Sequence, residues 1–161
     1  MPTGTLYELP VNANPPPPFA DTQLVISGWG QLIYQARGLT QSLEVIPQAF
    51  EQDYDVNANR IDLSNPAFRK YQSTITCSDR RPPPMDALFP GAIVTVHCTT
   101  PLCYLNGNPG SPNRPEASGS SLSFNGFTFY RPILDMMVGP LSWRLEDWEA
   151  TVGWQIQLFE V

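Results

Sequence analysis

One histidine and three cysteines bound the chemistry open to this chain. His97 is the sole imidazole, and with its neighbour Cys98 it could form a nucleophile and base couple only if both side chains shared a face. The spacing argues otherwise. Ile93, Thr95 and His97 alternate with Val94, Val96 and Cys98, the period of a half-buried strand, which sends His97 and Cys98 to opposite faces unless a bulge intervenes. His97 then reads as a histidine on the polar or interfacial face of a sheet. Cys77, Cys98, Cys103 and His97 supply four donors but lack the paired C-x-x-C or H-x-x-x-H spacings that specify structural zinc, so buried free thiols are expected. Glu146, Asp147 and Glu149 are candidates for a carboxylate pair, yet they flank Trp148 at a connection between strands, where solvated charge explains them and no apolar pocket separates two pKa values. Gly28-Trp29-Gly30 is followed by Gln31-Leu32 rather than a lysine and hydroxyl pair, which excludes a phosphate loop. The expectation is a chain without catalytic, cofactor or metal residues, and not an enzyme.

The composition points the same way. In 161 residues, charged side chains make up 15% and the formal net charge is −6, with Lys70 the one lysine and the arginines scattered. Nucleic-acid binding needs clustered positive charge, and none stands out. The 18 prolines forbid long helices, because each fixes φ and removes a backbone donor. No apolar run is long enough to span a bilayer, and Met1 to Thr5 lacks the pattern of a signal peptide. With an odd number of cysteines, this predicts a chain kept in a reducing cytoplasm.

The elements that must position these residues are strands. Val152, Trp154, Ile156 and Leu158 alternate with Thr151, Gly153, Gln155 and Gln157, predicting a final strand with one buried and one wet face. Phe159 and Val161 fall on its second face, where contact with a neighbouring chain is expected. Residues 1–21 read as an extended proline-rich arm, with Pro15, Pro16, Pro17 and Pro18 favouring polyproline II and docking on a neighbour. Residues 22–161 read as one β domain. Strands are predicted at Leu24–Ile26, Leu39–Ile46, Tyr71–Cys77, Ile93–Cys98, Phe127–Tyr130 and Ile133–Val138, and around Trp143 and Trp154. A hairpin is predicted from Gln52 to Leu63 about Asn57-Ala58-Asn59, one helical turn near Ser64-Asn65-Pro66, and turns at Phe89-Pro90-Gly91 and Gly139-Pro140. Residues 106–123, rich in Asn, Gly, Pro and Ser, read as a long functional or mobile loop. Eight or nine strands separated by turns make an all-β barrel or sandwich. The aromatics crowding the last forty residues exceed what one sheet face needs, so Trp148 and the aromatic-flanked Arg131 and Arg144 are candidate interface anchors.

Several segments together resemble small structural proteins of tailed bacteriophages: Arg37-Gly38-Leu39-Thr40-Gln41, Arg60-Ile61-Asp62-Leu63-Ser64, Phe68 to Ile75, Pro83 to Gly91, and Gly153-Trp154-Gln155-Ile156-Gln157-Leu158. The likeness extends over most of the chain after about Ser27, with Asn57-Ala58-Asn59 standing where an Asn-Gly turn is expected. It implies a non-enzymatic β module of the tail, tail tip or baseplate, forming homo-oligomeric rings with copies of itself and other virion proteins. Such a protein assembles in the host cytoplasm, binds no membrane, and presents DNA with an acidic, lysine-poor surface that repels it. Two other expectations stand beside it: a capsid decoration or head-to-tail connector protein, and a carbohydrate- or receptor-binding β module using the 106–123 loop with exposed tryptophans.

Overall fold

The structure, a computed structural model, describes residues 24–28, 30–31, 38–47, 51–65, 69–79, 81, 83–86 and 88–161. The expected arm with Pro15 to Pro18, Trp29 of the glycine turn and Pro66 of the expected helical turn lie outside these residues.

Among the described residues the chain is nearly all β, with twelve strands and no α-helix. Seven of them form one antiparallel sheet that curls into half a barrel. In sheet order these are β2 (Gly30–Gln31), β1 (Val25–Ile26), β7 (Ile93–His97), β11 (Ile133–Glu146), β12 (Thr151–Glu160), β6 (Tyr71–Asp79) and β3 (Thr40–Val45). A hairpin of β4 (Gln52–Tyr54) and β5 (Arg60–Asp62) stands apart, and β8 (Leu102–Leu105), β10 (Phe127–Tyr130) and β9 (Leu122–Phe124) form a three-stranded sheet.

The alternation in β12 holds along its length. Val152, Trp154, Ile156 and Leu158 are buried, while the residues between them are only partly covered. Trp154, Ile156 and Leu158 meet Ile75 and Cys77 of β6, Val94 and Val96 of β7, and Leu134, Met136 and Val138 of β11 in a core that Leu24, Ile26 and Cys98 complete. Each such side chain stabilises the fold by roughly 1.5–3 kcal/mol relative to exposure. The β4–β5 turn is set by Asp55, whose Oδ1 accepts from the amides of Asn57 and Asn59, both at 2.8 Å. The Asn59 bonds, foremost, hold its carboxyl below the ordinary range, and Ala58 takes the left-handed conformation at φ 60°.

One expectation is overturned and two features lie beyond the sequence reading. Gly139-Pro140 is not a turn: β11 runs through it as one 14-residue strand. Val138 pairs with Leu158 but Leu141 with Ile156, so Gly139 and Pro140 together oppose Gln157 in a bulge. The bulge fits its residues. A Cβ on Gly139 would sit 2.5 Å from Cε2 of Phe159, whose ring lies over it, and beyond Val138 the described residues show no ladder partner on the other edge of β11, where proline's missing donor costs nothing. Secondly, β8 and β9 form where the sequence shows no alternation. Thirdly, the 106–123 segment, expected as a functional or mobile loop, is tied to the residues before β11 at positions 115–117. Ala117 is buried and donates to Arg131 O at 2.8 Å, Ile133 donates to Pro115 O at 2.8 Å, and Glu116 bridges Pro132.

Among the described residues, Gln41 links the β3 edge of the half-barrel to the segment that follows β7. Gln41 of the edge strand β3 accepts at Oε1 from Thr99 N at 2.7 Å and Thr99 Oγ1 at 2.9 Å, just past the end of β7. Its backbone oxygen accepts from Thr100 Oγ1 at 2.9 Å, and its Nε2 donates to the buried Ser73 Oγ at 3.0 Å. Replacing Gln41 by Leu strands the Thr99 amide and Ser73. It is expected to cost about 2 kcal/mol, lowering Tm by roughly 4–8 °C, whereas Gln72→Ala, which loses an exposed bond to Glu44, stays within about 0.5 kcal/mol in the same thermal melts.

Candidate functional site, an apolar groove at the hairpin end

β11 extends past β7, whose pairing with it ends at Met137 and Ile93, while β6 accompanies β12 as far as Val152 and Asp79. Beyond the bulge the inward parity changes from even to odd residues, so Leu141, Trp143 and Leu145 share the face of Ile156, Trp154 and Val152, with which they pair. Trp154 and Ile156 are buried, but the core ends before the hairpin does, leaving Trp143 61% and Leu145 64% exposed. The turn after Glu146 carries Trp148 at 98% exposure, with Ala150 at φ 50° closing it onto Thr151.

A second wall comes from the connector between β6 and β7. Met85 anchors it in the core, and its far end is tied to β11 by Gly91 N to Val138 O and Val138 N to Ala92 O, both 2.8 Å. Leu88, Phe89 and Pro90 stand between these ties and face Leu141 and Trp143 across a groove of about 460 Å³, with Phe89 70% exposed. Among the described residues, Asp86 is the one charged residue lining it. The groove can take an apolar or aromatic group. It brings no nucleophile or imidazole together.

The residues first considered for chemistry stay apart. Cys98 is in the core, while His97 sits half-buried on the other face of the sheet and Cys103 is exposed on β8. Among the described residues no group of three or more His, Cys, Asp and Glu side chains could hold a metal ion. Burial, foremost, pushes the Cys77 and Cys98 thiols from 9.0 up to about 11, with Asp79 adding to the rise at Cys77. The carboxylates Glu146, Asp147 and Glu149 occupy or flank the hairpin turn, and Glu146 pairs with the exposed Arg144.

The candidate interface residues divide between two ends of the sheet. Arg144 and Trp148 lie at the hairpin tip. Arg131, Phe159 and Val161 lie at the other end, where Arg131 N donates to Ser120 Oγ at 3.1 Å and Val161 N to Asp135 O at 3.1 Å. Phe159 is half-buried on the outer face against Gly139 of its own chain. The 106–123 segment is tied to the chain near Ile133, about ten residues or roughly 33 Å of strand from Trp143.

What secures that segment is a clasp. Arg114 pairs with Glu160 through Nε and, at 3.1 Å, through Nη2, which also donates to Arg69 O at 2.9 Å. Glu160 accepts from Tyr71 N at 2.8 Å, and the guanidinium lies 5.5 Å from the Tyr71 ring centroid. Hydrogen bonding to Glu160 raises the Arg114 pKa further above its already high ordinary value. Sequence reasoning passed over Arg114 because its partner is 46 residues away. It also read Phe89-Pro90-Gly91 only as a turn, although the adjacent apolar pair Leu88-Phe89 after a proline run was a signal for a packed wall.

No known family model, curated protein or solved structure matches the chain.

Two outcomes are expected. Arg114→Ala leaves Glu160, its side chain only 10% exposed, without its cation and should cost about 3 kcal/mol and speed thermolysin cleavage in 106–123, while Arg144→Ala changes stability by less than about 0.5 kcal/mol. In thiol titration with an aromatic disulfide, Cys103 alone should react in the native chain, Cys77 and Cys98 following on unfolding. Because folding raises these two pKa values, their contribution is complete below pH 9.0 and is lost as pH climbs to about 11, which urea midpoints across that window would register.

Proposed function

We propose that this chain is a structural building block of a tailed-bacteriophage virion, placed in the tail, tail tip or baseplate and acting through protein–protein assembly rather than turnover. In this reading residues 22–161 are a single β domain, and residues 1–21 are an arm that docks on a neighbour. Its partners are copies of itself and other virion proteins, and it is assembled in the bacterial cytoplasm.

The observation that carries the reading is the apolar surface at the hairpin end. Phe89 and Trp143 stand exposed in one groove, with Leu145 and Trp148 exposed further along the same hairpin, and exposed aromatics of this kind mark surfaces that other proteins cover. The segment likeness to phage structural proteins supplies the class of assembly, and the low charge density fits surfaces meant to be buried between subunits.

Native mass spectrometry with electron microscopy of the full chain tests this. A ring, stack or filament is the expected result. Occupancy of an icosahedral capsid surface would move the protein to the decoration class, and a monomer that binds glycans would overturn the proposal.

A further inference from the structure

We infer that the cleft between the end of β3, the start of β6 and the 106–123 segment binds an oxyanion, a carboxylate or phosphate group carried by a small molecule. Val45, Arg69, Lys70, Tyr71, Asn113 and Arg114 line it around a volume of about 350 Å³. The chain has 9 lysines and arginines against 15 acids, yet Arg69, Arg114 and its one lysine meet here, and none of the described residues lining the cleft is acidic. Cations gathered about one hollow repel one another, and a bound anion reverses that cost.

The acids nearby are already engaged. Both Glu160 oxygens are held by Arg114, and Tyr71 N donates to one of them at 2.8 Å. Asp62 takes the amide and hydroxyl of Ser64 on Oδ1 and reaches Arg69 only at 3.9 Å, an exposed contact that holds the guanidinium weakly. Glu44, next to Val45, accepts from Gln72 Nε2 at 3.2 Å. Among the described residues no carboxylate forms an ion pair with Lys70. Arg114 directs four N–H groups to Glu160, Asn113 O and Arg69 O, which leaves one of its five to donate elsewhere. The cleft therefore keeps uncommitted cationic donors beside its ion pair.

The frame that carries these groups is fixed before any ligand arrives. Arg114 Nη2 donates to Arg69 O and Ile46 N to Lys70 O, both at 2.9 Å, and Tyr71 N is tied to Glu160, so three consecutive residues enter β6 with their backbone pinned. Little backbone ordering is left for binding to impose. The volume of about 350 Å³ lies at the lower end of the roughly 300–1,000 Å³ of small-molecule sites, so the anion has room for an organic body. Val45, 46% exposed, and Tyr71 supply apolar wall for that body, and Asn113 an amide that can orient it. The cleft lies at the opposite end of β12 from the turn that carries Trp148, and it is independent of the assembly reading.

NMR of the full chain, labelled with carbon-13 at lysine Cε, tests the proposal, because Lys70 gives the one lysine signal. Inorganic phosphate and citrate are each titrated at an ionic strength held constant with sodium chloride. A saturable shift with at least one of them is expected, citrate alone assigning a carboxylate and phosphate alone a phosphate group. In calorimetry with the tighter anion, Lys70→Gln and Arg69→Gln should each weaken binding about tenfold while leaving the thermal melt in place. Arg144→Gln, at the other end of the sheet, should leave binding unchanged. The absence of a saturable shift with either anion overturns the site, as does binding by Lys70→Gln at wild-type strength. Equal weakening by Arg144→Gln also overturns it, since the effect then reduces to overall charge. A chain that forms rings yet binds neither anion loses this site and keeps the assembly reading.

Discussion

A sheet that curls without closing its ladder leaves two rims facing each other, and each rim carries backbone groups that need partners. In this chain Gln41 meets that requirement from β3, reaching the Thr99 amide and both threonine hydroxyls beyond β7 while its amide nitrogen holds the buried Ser73. Everything inside depends on that closure. Leu39 and Leu43, on either side of Gln41, pack against the core, and Cys98, next to Thr99, is buried under the same join. Side-chain bonds replace strand pairing, so the curl is fixed by a few directional contacts whose loss would leave unsatisfied polar groups.

The closed core in turn decides where apolar surface is left over. β11 outruns β7 beyond Met137, and the connector from Met85 to Ala92 covers only part of the excess. Hence the groove lies between the overhang of β11 and the connector that follows β6. The opposite end of the same strands is sealed instead, by Arg114, Glu160 and Tyr71. One end is finished by an ion pair, and at the other apolar side chains stay exposed.

Most strands were legible because their alternation survives in the fold. β6, β7, β10 and β12 lie where period two places them, and the hairpin around Ala58 forms as its turn residues require. β8 and β9 were not legible, since Leu102 to Leu105 shows no alternation and Leu122 emerges from a segment whose composition reads as loop. Gly139-Pro140 carried a turn signal in a place where tertiary context, the Phe159 ring over Gly139 and an unpaired edge beside Pro140, accommodates both residues within a strand. The Gln41 closure and the Arg114 clasp join residues 58 and 46 positions apart, and no local pattern announces such pairs. Of the candidate site, Trp148 was marked from its type and position, whereas the groove wall was hidden in a proline-rich connector.

The bulge in β11 also governs how this gene can change length. Anywhere else in the strand, loss of one codon would turn every following side chain to the wrong face. At Gly139-Pro140 the strand already holds one residue more than its partner, so removing one leaves Leu141 opposite Ile156 and Trp143 opposite Trp154. The strand is in effect two reading phases joined at a splice. Length variation can accumulate at that joint while the inward faces on both sides keep their residues, which separates evolution of the hairpin tip from that of the core beneath it.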